Sequence, residues 1–185
     1  MSSDGTEYDL LTEIQDRLRE KVPFSESQCF LCDAPVPIMF PARDPFCTIS
    51  VGASQFDAEM WSGGGMNQLT QHTPVLVTVL IRSTLDHPPR IEAALLDPGR
   101  GLLMRYKPRI LRALLANCDG DASDSDGPMP PWSPKYQGEP ILRDYVQPIS
   151  CSAPVYMAQG EDAGRGGAYF LGITLTFRCS FDWRL

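Results

Sequence analysis

The segment that most restricts the fold is Ala168–Trp183. Tyr169, Leu171, Ile173, Leu175, Phe177, Cys179 and Phe181 take every second position, with more polar residues between them. A period of two places these seven side chains on one face of an extended strand. A strand this long needs partners along its length and a core beneath its apolar face. A second segment, Pro74–Ser83, carries Val75, Val77, Val79 and Ile81 on one face and Leu76 and Leu80 on the other. Both faces are apolar, so this strand is expected in the middle of a sheet with cover on both sides.

The remaining elements follow from weaker signals. Residues 6–22 read as a helix: Thr6 with Asp9 approximates a capping box. Leu10, Leu11, Ile14 and Leu18 then recur at helical spacing. Glu7, Asp9, Glu13, Asp16, Arg17 and Arg19 are assigned to the other face, and Pro23 ends the helix. Residues 46–61 read as a strand or a bent pair, because Cys47, Ile49, Val51 and Ala53 alternate with Thr48, Ser50 and Gly52. Residues 90–118 read as helix, interrupted at Pro98–Gly99 and again near Pro108. Residues 141–157 read as one or two strands. No helix separates each pair of strands, which argues against a parallel βαβ array. The expected fold is α+β: a mainly antiparallel sheet with an N-terminal helix and a helix pair packed on it.

Length, composition and punctuation fit one domain over residues 1–185. The chain is 43% hydrophobic and 21% charged, with 17 prolines and 15 glycines. That places it in the globular class, with many short elements and long loops. Pro23, Pro35, Pro37, Pro41 and Pro45 mark an extended arm at about 23–45. Residues 119–134, rich in Asp, Ser, Gly and Pro, read as a mobile acidic loop. The longest apolar run, Val75–Ile81, is far short of a membrane span. The polar start has no secretory pattern, so a cytoplasmic origin is expected. Sixteen Lys plus Arg against 23 Asp plus Glu give −7. That sign disfavours general grip on nucleic acid, whose affinity comes from neutralised phosphates.

Motifs for chemistry are few. Cys29-Phe30-Leu31-Cys32 has the spacing of half a tetrahedral zinc site, and Cys47, Cys151 or Cys179 would have to complete it. No second pair exists. Its bulky apolar centre does not resemble a redox motif at a helix N-terminus, so the six cysteines are expected as reduced, packed thiols. Asp119, Asp121, Asp124 and Asp126 fit no calcium-loop register. Gly63–Gly65 and Gly164–Gly167 match no phosphate loop. His72 and His87 read as surface histidines without a nucleophile motif beside them. No catalytic residue and no cofactor are assigned. Trp132, set among prolines, reads as a contact residue. A zinc-dependent enzyme or regulator and a monomeric ligand-binding domain stand as rival classes.

The opening Leu10–Leu18 stretch, the central strand Val75–Ile81, the leucine-rich helix around residue 110 and the terminal strand Tyr169–Phe181 together resemble the tail terminator, or tail completion, proteins of long-tailed bacteriophages. The likeness in element order spans residues 6–183. It implies a non-enzymatic structural virion protein, assembled in the host cytoplasm. Such a protein caps the head-proximal end of the tail tube as a hexameric ring. Its partners would be further copies, the tail tube protein and a head–neck protein, with DNA passing through the lumen unbound. A neck connector or stopper is the neighbouring alternative. An acidic lumen would repel DNA phosphate. Ring contacts join two different faces of each subunit. The expected interface residues are Trp132, Tyr169, Phe181 and Trp183. The terminal strand and the 23–45 arm are the expected open edges.

Overall fold

A computed structural model of the chain describes residues 7–33, 45–60, 66–83, 88–116, 131–158 and 169–184. The first helix, α1 (Glu7–Lys21), leads through a 3₁₀ turn at Glu26–Gln28 into strand β1 (Cys29–Leu31). Strands β2 (Phe46–Val51), β3 (Gln55–Met60) and β4 (Met66–Ser83) follow. Then come helix α2 (Pro88–Leu96), a π turn at Leu102–Tyr106 and helix α3 (Lys107–Leu115). A small hairpin, β5 (Lys135–Tyr136) and β6 (Glu139–Pro140), precedes β7 (Gln147–Cys151), β8 (Val155–Ala158) and β9 (Tyr169–Arg184). The α+β class and the mainly antiparallel sheet are as expected.

Strands β4 and β9 form the framework. They pair antiparallel from Gln68↔Arg184 to Ser83↔Tyr169 without a slip. The main sheet runs β1-β2-β4-β9-β7, with β3 also on β4 and β8 also on β9. Only β1 and β2 run parallel. Residues 46–60 are thus two strands on one side of β4: β2 against its second half, β3 against its first. The terminal strand is not an edge. It is flanked by β4 on one side and by β7 and β8 on the other. Period-two hydrophobicity reports a buried face and says nothing about which neighbours lie in the sheet plane. The 23–45 arm does contribute an edge strand, β1, while residues 34–44 lie outside the described residues.

Register decides what each sheet face carries. Val75, Val77 and Val79 stand in line with Val51, Ile49 and Cys47 of β2 and with Phe177, Leu175 and Ile173 of β9. This face meets Leu10, Ile14 and Leu18 of α1 and Ile110, Ala113 and Leu114 of α3 in one buried core. Burial of each large side chain contributes about 1.5–3 kcal/mol. On the opposite face Phe46, Leu80 and Phe170 form a smaller cluster, with the two rings edge-on at 5.6 Å. Thr48, Ser50 and Thr78 are buried beside it, and the Thr78 and Thr174 hydroxyls bond across strands at 2.9 Å. The second face of β4 is therefore covered as expected, over a floor that is half polar.

The helical segment breaks once. Gly99 and Arg100 N–H donate to Asp97 Oδ1, and Gly101 N–H donates to the Asp97 carbonyl. A Cβ on Gly101 would stand 2.6 Å from Asp97 N, so only glycine fits there. The expected break near Pro108 does not occur. The π turn runs straight into α3, where Pro108 sits on the exposed side of the first turn and its missing N–H does not end the helix.

Helix α1 spans Glu7–Lys21, close to the expected range, and Thr6 lies outside the described residues. Two assignments to the outer face are overturned: Glu7 turns its carboxylate to Gln71 and Thr73 of β4, and Arg17 is buried. Arg17 lies on the buried stripe with Leu10, Ile14 and Leu18, and is only 6% exposed. Its Nε donates to the Ala113 carbonyl at 3.1 Å and its Nη2 to Ala116 at 3.2 Å. Ala113 lies in the last turn of α3 and Ala116 caps it, where backbone carbonyls fall at the end of the helix's own hydrogen-bond ladder. The guanidinium also sits 5.5 Å from the centre of the Trp132 ring.

Arg17 thereby fixes α3 and the 131–134 segment to α1. We expect Arg17→Ala to lower the unfolding free energy in urea by about 3 kcal/mol, since two charged hydrogen bonds and a ring contact are lost in a buried site. Arg17→Lys should recover only part, because an ammonium cannot bridge both carbonyls over the ring.

Candidate assembly surfaces

The start of α1 is held to the sheet by one carboxylate. Glu7 Oε1 accepts from Ser54 Oγ at 3.3 Å, Thr73 Oγ1 at 2.8 Å and Gln71 Nε2. Gln71 in turn accepts the indole N–H of Trp183 at 3.0 Å. Phe56, Gln71 and Phe181 are cross-strand partners, as are Leu69 and Trp183, so all share the helix-bearing face. The helices do not cover this end completely. Tyr8 is 68%, Phe56 57% and Trp183 37% exposed. The elements that carry these three exposed rings converge on the Glu7–Gln71 anchor.

The expected interface residues divide. Trp183 lies in this aromatic end. Trp132 is only 8% exposed, packed into the core beneath Arg17. Phe181 is buried in the same core. Both are corrections: each ring faces inward, Phe181 by strand alternation and Trp132 because the Arg17 side chain covers it. Tyr169 begins β9, paired with Ser83 and Ala158. Tyr8 and Phe56 were missed, because a single aromatic on a helix start or a short strand carries no periodic signal.

A second surface was also missed. Arg100, Arg105, Lys107, Arg109 and Arg112 fall within 13 residues, and no acid occurs from 98 to 116. On α3, Ile110, Ala113 and Leu114 face the core, which turns Pro108, Arg109 and Arg112 outward. Met104 is exposed beside them. The signal was present as a local charge excess inside an acidic chain. Net charge averages it away.

The outer edge at β7 is blunted. Pro148 has no N–H, and the register shifts between Pro148 and Ser150. Both features discourage strand addition. Tyr145, Ile149 and Val155 are exposed along this edge.

The residues weighed for chemistry take structural places. Cys29 is buried in β1 opposite Cys47, and Cys32 N–H donates to the Ile49 carbonyl. Burial, aided by the Cys29 thiol, pushes the Cys47 thiol well up. Burial and then Asp33 raise Cys32. Protonated thiols are poor ligands and nucleophiles. Among the described residues no three His, Cys, Asp or Glu are placed to hold a metal. His72 sits within β4, with Nδ1 2.9 Å from Ser180 Oγ and Nε2 3.1 Å from Asp57 Oδ2. The linkage has the order of a nucleophilic triad, but Ser180 is buried in mid-strand and its carbonyl already accepts from Arg143 N–H. The group ties β3, β4 and β9 together. His87, Asp119–Asp126, Gly63–Gly65 and Gly164–Gly167 lie outside the described residues. No described helix is long and apolar enough to cross a membrane.

No protein-family model matches the chain, and no curated protein matches it.

Two outcomes are expected here. Glu7→Ala removes the shared acceptor of three donors, which then have only one another to bond, and should cost about 2 kcal/mol in chemical denaturation. The Cys179 thiol is pushed up to about 12 by burial. The unfolded chain releases that proton at lower pH, so the folded state loses stability as pH rises from the ordinary thiol range towards 12. Cys179 alone should make the unfolding free energy fall by about 1.4 kcal/mol per pH unit in that window, and Cys179→Ala should reduce the measured slope by that amount, the raised Cys47 and Cys32 thiols keeping their own share.

Proposed function

We propose that this chain is a tail terminator of a long-tailed phage. It caps the head-proximal end of the tail tube as a hexameric ring, joins tail to head, and has no catalytic role. The observation that carries the reading is the architecture: an N-terminal helix and a helix pair on one face of a mainly antiparallel sheet, in the element order of that family. The surface supports it. Exposed aromatic residues gather at one end of the helical face, a pattern suited to docking other protein chains. The groups that could do chemistry serve as strand ties or as buried, protonated thiols. An excess of acidic residues suits a ring through which DNA must pass without sticking. The ring belongs in the virion, at the junction of tail and neck.

The test is the solution mass of the full chain by light scattering over a wide concentration range, with and without a chelator and purified tail tubes. A chelator-insensitive rise from monomer to a closed hexamer, or recruitment of a ring by tube ends, is the expected result. A monomer under all conditions, with no binding to tubes, overturns the reading.

A further inference from the structure

The helical face carries two unlike surfaces. One is the aromatic end: Tyr8 and Phe56, with Trp183 held over Gln71. It also holds the Glu7 carboxylate. The other is the cationic strip along the π turn and α3, where Met104 is 56% exposed and Arg109 and Arg112 point outward.

The two lie apart. Glu7 ties the start of α1 to Gln71 and Thr73, in the first half of β4. Arg17, about 15 Å further along α1 at a rise of about 1.5 Å per residue, meets the end of α3. The helix α2 and the π turn follow from the Ser83 end of β4. Two surfaces that differ in chemistry and in position suit a head-to-tail contact between copies, the heterologous geometry that generates a ring when its rotation closes.

Their chemistry is complementary. Guanidinium groups stack over aromatic faces, and a thioether packs well against ring edges. Arg and Met are the residues enriched at protein interfaces. The strip holds Arg105, Lys107, Arg109 and Arg112, four of the chain's 16 cations, while Arg100 just before it pairs with Asp97 at 3.5 Å. The other residues therefore carry −11, the chain's −7 less these four positive charges, and it is this acidic remainder of a second copy that attracts the strip. Duplex DNA is a poorer fit. It would meet the same −11, and the exposed Met104 offers nothing to phosphate.

We propose that the cationic strip of one subunit docks on the Tyr8–Phe56–Trp183 surface of the next, and that this contact builds the oligomer. The inference rests on the ring reading above and adds the two faces that meet.

Two double variants of the full chain test it, with circular dichroism to check that each is folded. Lys107→Glu/Arg109→Glu spoils the strip and leaves the aromatic end intact. Tyr8→Ala/Phe56→Ala does the reverse. Each alone should shift the midpoint of self-association at least tenfold to higher concentration, and added salt should weaken the unsubstituted assembly. Mixed together, the two should form dimers and stop there, because the pair retains one sound contact. Should either double variant misfold, Arg109→Gln or Phe56→Ala alone gives the same reading at smaller amplitude. Unchanged assembly of the strip variant overturns the contact and leaves the ring reading standing. Unchanged assembly accompanied by lost retention on duplex DNA overturns it in favour of a nucleic-acid surface. An unsubstituted chain that never associates, even on tail tubes, removes both.

Discussion

The pairing of β4 with β9 is the constraint on which the rest of the molecule depends. Every other strand of the main sheet attaches to one of these two, directly or, for β1, through β2. Both are about three times the common strand length of about 5–6 residues. That length lets each serve two partners end to end: β3 and β2 on β4, β8 and β7 on β9. The partners lie far apart in the chain, from Ser83↔Tyr169 to Gln68↔Arg184. All three helices and the short hairpin are placed either side of, or between, the two strands they pack on. Closing so non-local a ladder is the slow kind of folding event. The helices need it first, because α1 and α3 have nothing apolar to cover until valines from β4 and the β9 side chains stand side by side.

The two faces then take different roles. The helix-bearing face is almost wholly apolar through its middle, and turns polar only where Glu7 collects hydrogen bonds from Ser54, Gln71 and Thr73. That network marks where α1 begins and where the aromatic surface opens. The opposite face pairs threonines across strands beside a compact Phe46–Leu80–Phe170 cluster. Burying Thr48 and Thr78 costs desolvation, which cross-strand hydroxyl bonds such as Thr78–Thr174 offset.

Much of the fold was legible, and the reasons are physical. Alternation in Val75–Ile81 and Tyr169–Phe181 reports burial on one side of an extended chain, and that information is local. Arg17 shows the limit. A charged residue at a helical position is assigned to solvent because an isolated buried charge is costly. Here the cost is offset by the carbonyls of Ala113 and Ala116, at the end of α3 and just past it, and by the face of Trp132. Those partners are about 100 residues away in sequence, so no local pattern could announce them. Trp132 was misplaced for the same reason in reverse: its proline-rich neighbours describe a loop, and loops usually lie outside. Of the surfaces proposed for assembly, Trp183 was legible as an exposed terminal aromatic. Tyr8, Phe56 and the cationic strip were not.

The sequence by itself determined the class of fold, the two strands that carry it, the glycine break before the π turn and the acidic balance of the chain. All of these depend on side-chain period, backbone permissiveness or composition, which neighbouring residues specify. The tertiary structure alone decided the sheet order, which edges stay open, that β9 is internal, and which aromatic rings face solvent. Those properties depend on what lies beside a residue in space. Trp132 and Trp183, both expected at an interface, part company because Arg17 covers the first while the helices leave the second partly exposed.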